Sequence, residues 1–202
     1  MASDKPYYTI EEMLEEIADY DQNQACLQIL KYYRALFQKA QGSTNNHQNW
    51  PGGYFDHVQE ILNIASNQYE WMNKRRPLPF TLGDAVLILF LHDIEKPWKY
   101  ELRPDGQLHH KPEFAGKQDD HTFRLAKLRE YNIVLTDAQM NALKYVEGEM
   151  ADYSPRRRVM NELAGFCHSC DVLSARVWHA HPAEHDDPWK EARRIRDAVT
   201  AA

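Results

Sequence analysis

Ala85-Val86-Leu87-Ile88-Leu89-Phe90-Leu91-His92-Asp93-Ile94-Glu95-Lys96 is the stretch on which the reading of this chain turns. The apolar run reads as a buried helix, and it ends on a histidine and an aspartate side by side. An ionised carboxylate in that setting is desolvated unless something positive lies against it, and a metal ion is the obvious partner. Neighbouring helical residues point about 100° apart. His92 and Asp93 can therefore share one ion only at the helix end, where the backbone can bend. Alone, such a dipeptide reads more simply as a helix terminus at the surface. The rest of the chain decides between the two.

Working outward, Thr81 caps the helix that ends in His92-Asp93. Upstream, Pro51-Gly52-Gly53 lets the backbone pass close to a neighbour and start a helix at once. That helix runs to about Met72, with Val58, Ile61, Leu62, Ile64 and Ala65 on its buried side and His57 in its first turn. Thr9-Ile10-Glu11-Glu12 is a capping box that opens a helix to about Tyr20, and Asp21 is placed to cap the next. From Glu95 to Lys117 the helical period disappears. Tyr100-Glu101-Leu102 and Gln107-Leu108-His109 predict a small hairpin about Arg103-Pro104-Asp105-Gly106, in a loop long enough to act as a lid. Asp119 or Asp120 is expected to cap a helix beginning at His121, and Thr136 another reaching about Val146. Ser154-Pro155 is expected to start the longest helix, whose apolar face contains Asp171. The fold class is all-α, a helical bundle with a small irregular or hairpin insertion after the His-Asp helix. It reads as one domain over 1–202: helices of 1–41 packed on a core of 46–176, with a C-terminal helix over 187–202.

The net charge of −6 gives no general attraction to nucleic acid, which argues against a long polynucleotide as partner. No apolar run approaches a membrane span, and the first residues lack the apolar centre of a signal peptide, so a cytoplasmic protein without a membrane partner is expected. Cys26, Cys167 and Cys170 read as free thiols, and Cys167-x-x-Cys170 lacks the second pair that a zinc site needs. An exposed apolar side on the first two helices would suit a homodimer.

Three predicted helices thus each carry a metal-type ligand on an apolar face: His57, His92 with Asp93, and Asp171. In that order the chain resembles the HD-domain superfamily of metal-dependent phosphohydrolases, over about Asn46 to Arg176. Asn46-His47-Gln48, Pro51-Gly52-Gly53-Tyr54 and His57 look like the histidine-bearing loop and turn in HD domains of bacterial 3′-to-5′ exoribonucleases. His121 falls where those proteins carry a further histidine, and His168-Ser169-Cys170-Asp171 looks like their closing His-x-x-Asp helix. Two positions depart from the pattern. Glu95 replaces the usual glycine, and Val146-Glu147 stands where a histidine pair would help to hold a second metal. The two helices expected before the domain supply no nucleic-acid-binding barrel, which argues against a processive nuclease.

The resemblance implies a divalent transition metal (Mn, Fe, Co, Ni or Zn) held by His57, His92, Asp93 and Asp171, with open positions for water and a phosphate oxygen. It implies catalytic roles for Asp93, for Lys96 as a neutraliser of phosphate charge and for His121 as a general acid. His47, Lys96 and Arg158 are the expected substrate contacts. His121, Glu147 and His168 are the candidates for auxiliary or second-metal ligands, and Glu95 either orients water or ends its helix without a role. The implied function is hydrolysis of a nucleotide or related small phosphoester. The alternatives are an HD-fold di-iron oxygenase and a catalytically weak nucleotide-binding or regulatory module.

Overall fold

The computed structural model describes residues 7–44, 47–102, 104 and 108–177. Its helices are α1 (Ile10–Leu14), α2 (Tyr20–Phe37), α3 (Gly53–Arg75), α4 (Leu82–Leu91), α5 (Lys96–Lys99), α6 (Lys117–Glu130), α7 (Asp137–Tyr145) and α8 (Glu162–Val177). Two short strands, β1 (Tyr100–Leu102) and β2 (Leu108–His110), pair antiparallel with Tyr100 opposite His110. The all-α bundle and the hairpin after the His-Asp helix are both present. The predicted Arg103–Gly106 turn and the predicted C-terminal helix fall largely or wholly outside the described residues.

Helix α4 is the axis of the core. Every residue from Ala85 to Leu91 is buried, the signature of a helix enclosed on all sides. It is surrounded by α1, α2, α3, α7 and α8, and α8 packs along both α3 and α7. A capping box between Thr81 and Asp84 starts it. At its end the chain does bend. The Ile94 amide donates to the Leu91 carbonyl and the Lys96 amide to the Asp93 carbonyl, both tight i to i−3 bonds that break the α-helical register.

The first half of α3, Gly53 to Ala65, is also buried, polar residues included. Two glycines make its entry. Gly52 has φ 85°, and a Cβ on Gly53 would lie 1.9 Å from the carbonyl oxygen of Gln48. The 47–48 loop is thereby pressed against the start of α3, beside His57.

Several expected boundaries are corrected. The first helix stops at Leu14 rather than near Tyr20, and Asp19, not Asp21, caps α2 by accepting from the Gln22 amide. Helix α6 begins at Lys117, not His121, with Asp119 reaching back to the Gly116 amide. Helix α8 begins at Glu162 rather than at Ser154-Pro155, and the longest helix is α3. Asn161 is the effective cap, its Oδ1 accepting from the Ala164 amide at 2.7 Å. The physical reason is the positive end of the helix dipole, which Arg156-Arg157-Arg158 would oppose. The apolar faces of α1 and α2 are not exposed. Ile10, Met13, Leu14, Cys26, Ile29, Leu30 and Phe37 are buried in the core of the same chain.

Candidate metal centre

Four side chains converge where α3, the end of α4 and α8 meet. His57 and His92 are fully buried, Asp93 is buried and Asp171 is partly exposed. The Nε2 of His57 lies 3.2 Å from Asp171 Oδ1 and 3.6 Å from Asp93 Oδ2. The Nε2 of His92 lies 3.1 Å from Asp93 Oδ2 and 3.6 Å from Asp171 Oδ1. His57, His92 and Asp171 bring ligand atoms within 4.8 Å of one another, and among the described residues no other such group of three forms. The bend after Leu91 is what turns two adjacent side chains toward one point.

The far side of each imidazole fixes which nitrogen faces the centre. His92 Nδ1 is 2.7 Å from the Leu89 carbonyl, which can only accept, so Nδ1 carries a proton and Nε2 is the nitrogen turned toward the centre. His57 Nδ1 is 3.0 Å from Ser174 Oγ, and that hydroxyl donates to Glu60 Oε2 at 2.5 Å. The chain His57–Ser174–Glu60 therefore leaves Nε2 of His57 bare. Both Nε2 atoms are buried without a hydrogen-bond partner. Buried polar atoms are normally paired, and two orphans aimed at two carboxylates fit a cation.

Charge follows the same geometry. Burial lowers the basicity of both imidazoles. At His57 burial wins, whereas at His92 the carboxylate of Asp93 outweighs it and lifts the pKa to about 10, because Asp93 favours positive charge at Nε2, a proton or a cation in its place. Burial alone would raise Asp171, but the imidazoles of His57 and His92 close beside it hold it well below the usual carboxylate range. Lys96 places Nζ 2.5 Å from Asp93 Oδ2. Burial opposes its charge, yet Asp93 keeps it protonated, with its pKa raised.

His47 joins the centre, its ring 5.3 Å from that of His57. Its Nδ1 lies 2.6 Å from Gln48 Oε1, while the Gln48 amide nitrogen donates to Ser174 Oγ at 3.1 Å. Burial, followed by the charges of Lys96 and His57, pushes the His47 pKa down to about 4.

Other expected site residues are arranged differently. Glu95 is not aimed at water. It is buried and bidentate on Arg124, with Nε to Oε2 at 2.8 Å and Nη2 to Oε1 at 3.0 Å. Glu147 receives Nη2 of the same arginine at 2.9 Å and also pairs with Lys117, so its carboxylate is committed to cations of the protein. His168 donates from Nδ1 to the Val146 carbonyl at 2.7 Å. His121 makes no hydrogen bond or ion pair among the described residues, and burial, Arg124 and Lys144 lower its pKa. A neutral imidazole of that kind is poorly suited to the expected role of proton donor. Arg158 is exposed and lines a separate groove of about 870 Å³ beside Arg75, Arg76 and Phe80. The three thiols are buried and unpaired, with Cys26 and Cys170 pushed up to about 12 by burial.

Arg124, Gln48, Ser174 and Glu60 are the residues that sequence reading missed. Only Arg124 leaves a trace in the sequence. Asp120, Arg124, Lys127 and Leu128 follow helical spacing, and all four are buried.

With this geometry in hand, comparison with known proteins gives one informative similarity. The chain is 24% identical over 155 residues to a dihydroneopterin 2′,3′-cyclic phosphate phosphodiesterase of Methanocaldococcus jannaschii. The aligned region covers 72% of this chain and 59% of that protein. No family model matches the chain, and no solved structure matches it. Nothing in these comparisons supports the narrower likeness to exoribonucleases. Among the described residues no helix is long and apolar enough to cross a membrane.

Proposed function

We propose that this chain is a metal-dependent phosphohydrolase of the HD type that acts on a small phosphoester. The observation that carries the proposal is the pair of buried, unpartnered Nε2 atoms on His57 and His92, facing Asp93 and Asp171. These four side chains would hold a divalent ion, and a mixed imidazole and carboxylate set suits Mn, Fe, Co, Ni or Zn. When bound, such an ion lowers the pKa of a water ligand and polarises the phosphoryl oxygen.

The remaining steps belong to the chain itself. Lys96 holds Asp93 Oδ2 and sets a fixed positive charge beside it, where a phosphate oxygen would lie. His47 stays neutral at neutral pH, with Nδ1–H held by Gln48, so its Nε2 can accept a proton from substrate or water. Ser174 and Glu60 keep His57 in the tautomer that presents Nε2.

The relative acts, by its name, on a cyclic phosphodiester. That supports a small cyclic or open phosphodiester, nucleotide-like in size, as the substrate class here. The test is a panel of 2′,3′-cyclic nucleotides, bis(p-nitrophenyl) phosphate, nucleoside mono-, di- and triphosphates and short oligonucleotides. Each is assayed with Mn, Fe, Co, Ni and Zn, beside an Asp93→Asn variant. Metal-dependent turnover of a small ester, absent from the variant, is expected. Faster cleavage of oligonucleotides would reject the small substrate. Silence across the panel with metal bound would reject the hydrolase.

A further inference from the structure

Asp93 has two oxygens with different surroundings. Oδ2 faces the imidazoles of His57 and His92 and the ammonium of Lys96. Oδ1 lies 3.9 Å from Nη2 of Arg124. A carboxylate in this position can bridge two cations, one on each oxygen. On the Oδ1 side the cation is a guanidinium of the protein.

That guanidinium is fixed in place by buried ion pairs. Arg124 is 3% exposed and is gripped from two directions, by both oxygens of Glu95 and by Glu147. Burial disfavours its charge, but Glu95 and Glu147 outweigh the penalty and raise its pKa further. Three carboxylates lie around it (Asp93, Glu95 and Glu147), and with the guanidinium between them their oxygens are not drawn together into one ligand group. The guanidinium neutralises them and fills the space between them.

We propose that Arg124 is a built-in replacement for a second metal ion, so that the centre at His57, His92, Asp93 and Asp171 takes one divalent ion and no more. The inference rests on the reading of that centre as a metal site. Its consequence is that the second positive charge is permanent. A di-iron reaction, in which two metals change oxidation state together, is then closed to this chain. Arg124 acts through Asp93 and is a positioning residue.

The test is metal content at saturating Mn²⁺ after removal of free ion, read by elemental analysis and by Mn²⁺ electron paramagnetic resonance. Wild type is expected to hold one ion per chain with an uncoupled signal. Arg124→Gln is expected to take up a second, weaker ion and to show a spin-coupled pair. Because the variant leaves Glu95 buried without its partner, the double variant Arg124→Gln/Glu95→Gln is measured in parallel. It retains Asp93 and Glu147 for the second ion, and the same gain is expected. Two ions in wild type, or one ion in every folded variant, would overturn the proposal and leave the centre at His57, His92 and Asp171 standing as a metal site. No ion in wild type would instead reject the metal site itself.

Discussion

Two buried polar clusters lie side by side, and they differ in whether they are complete. Around Arg124 the guanidinium is matched: Glu95 takes two hydrogen bonds from it, and Glu147 takes a third. Around His57 and His92 the matching stops short, because both Nε2 atoms are buried and have no hydrogen-bond partner. Burying charge is costly unless it is paired, so the first cluster is what a chain builds to carry charge inside a core. The second is what it builds to receive something. Asp93 belongs to both, one oxygen to each.

The widest separation of the two clusters is expected from substitution at the incomplete one. Asp171→Asn removes the charge of one candidate ligand while keeping its size, so no cavity opens beside the unpartnered nitrogens. Metal-dependent turnover should fall by more than about 100-fold, since even supporting residues of metal sites cost 10–100-fold, while thermal unfolding shifts little. The complete cluster should respond in the opposite sense. Arg124→Gln breaks a buried ion pair on one side only, at a cost of about 3–5 kcal/mol. At this chain length that is a fall in Tm of roughly 6–20 °C, measurable by calorimetry.

Smaller effects sharpen the boundary between the two. Ser174→Ala removes the hydroxyl that orients His57, and calorimetric titration with Mn²⁺ should show affinity weakened by about 10–100-fold. The fold should be retained, because Ser174 touches only the incomplete cluster and its support.

The smallest effect is on pH dependence. His47 titrates near 6.5 when unfolded and is held down to about 4 when folded, chiefly by burial. Between those values the unfolded chain binds the extra proton, so stability falls as pH drops from about 6.5 to about 4. Below the folded value the loss is complete. His47→Gln should flatten that part of the stability curve, and an unchanged slope would place the acid sensitivity elsewhere.

Much of this centre is legible in the sequence because its ligands are out of place where they stand. A histidine and an aspartate ending an apolar run, a histidine on the apolar side of α3 and an aspartate on the apolar side of α8 each contradict the local pattern. Threonine capping boxes at Thr9, Thr81 and Thr136 fixed three helix starts, because caps are local chemistry. Arg124 left only a faint trace for the converse reason. It sits on a charged helix where an arginine looks at home, and its partners lie 29 and 23 residues away. Gln48 and Ser174 carry no unusual residue type, and they meet only when α8 closes on the 47–48 loop. Arg158 stands on a separate groove because α8 starts at Glu162: the Ser154-Pro155 signal suggested a helix start, whereas the three arginines that follow oppose one.

The account depends on one ion lying between the two orphaned nitrogens. The most direct measurement is a crystal structure of the Mn²⁺-loaded protein with anomalous scattering recorded at the metal edge. The predicted result is a single peak about 2.0–2.3 Å from His57 Nε2, His92 Nε2 and oxygens of Asp93 and Asp171. No second peak is expected on the Arg124 side of Asp93. A loaded crystal with no peak between His57 and His92, or with its ion bound elsewhere, would contradict the account.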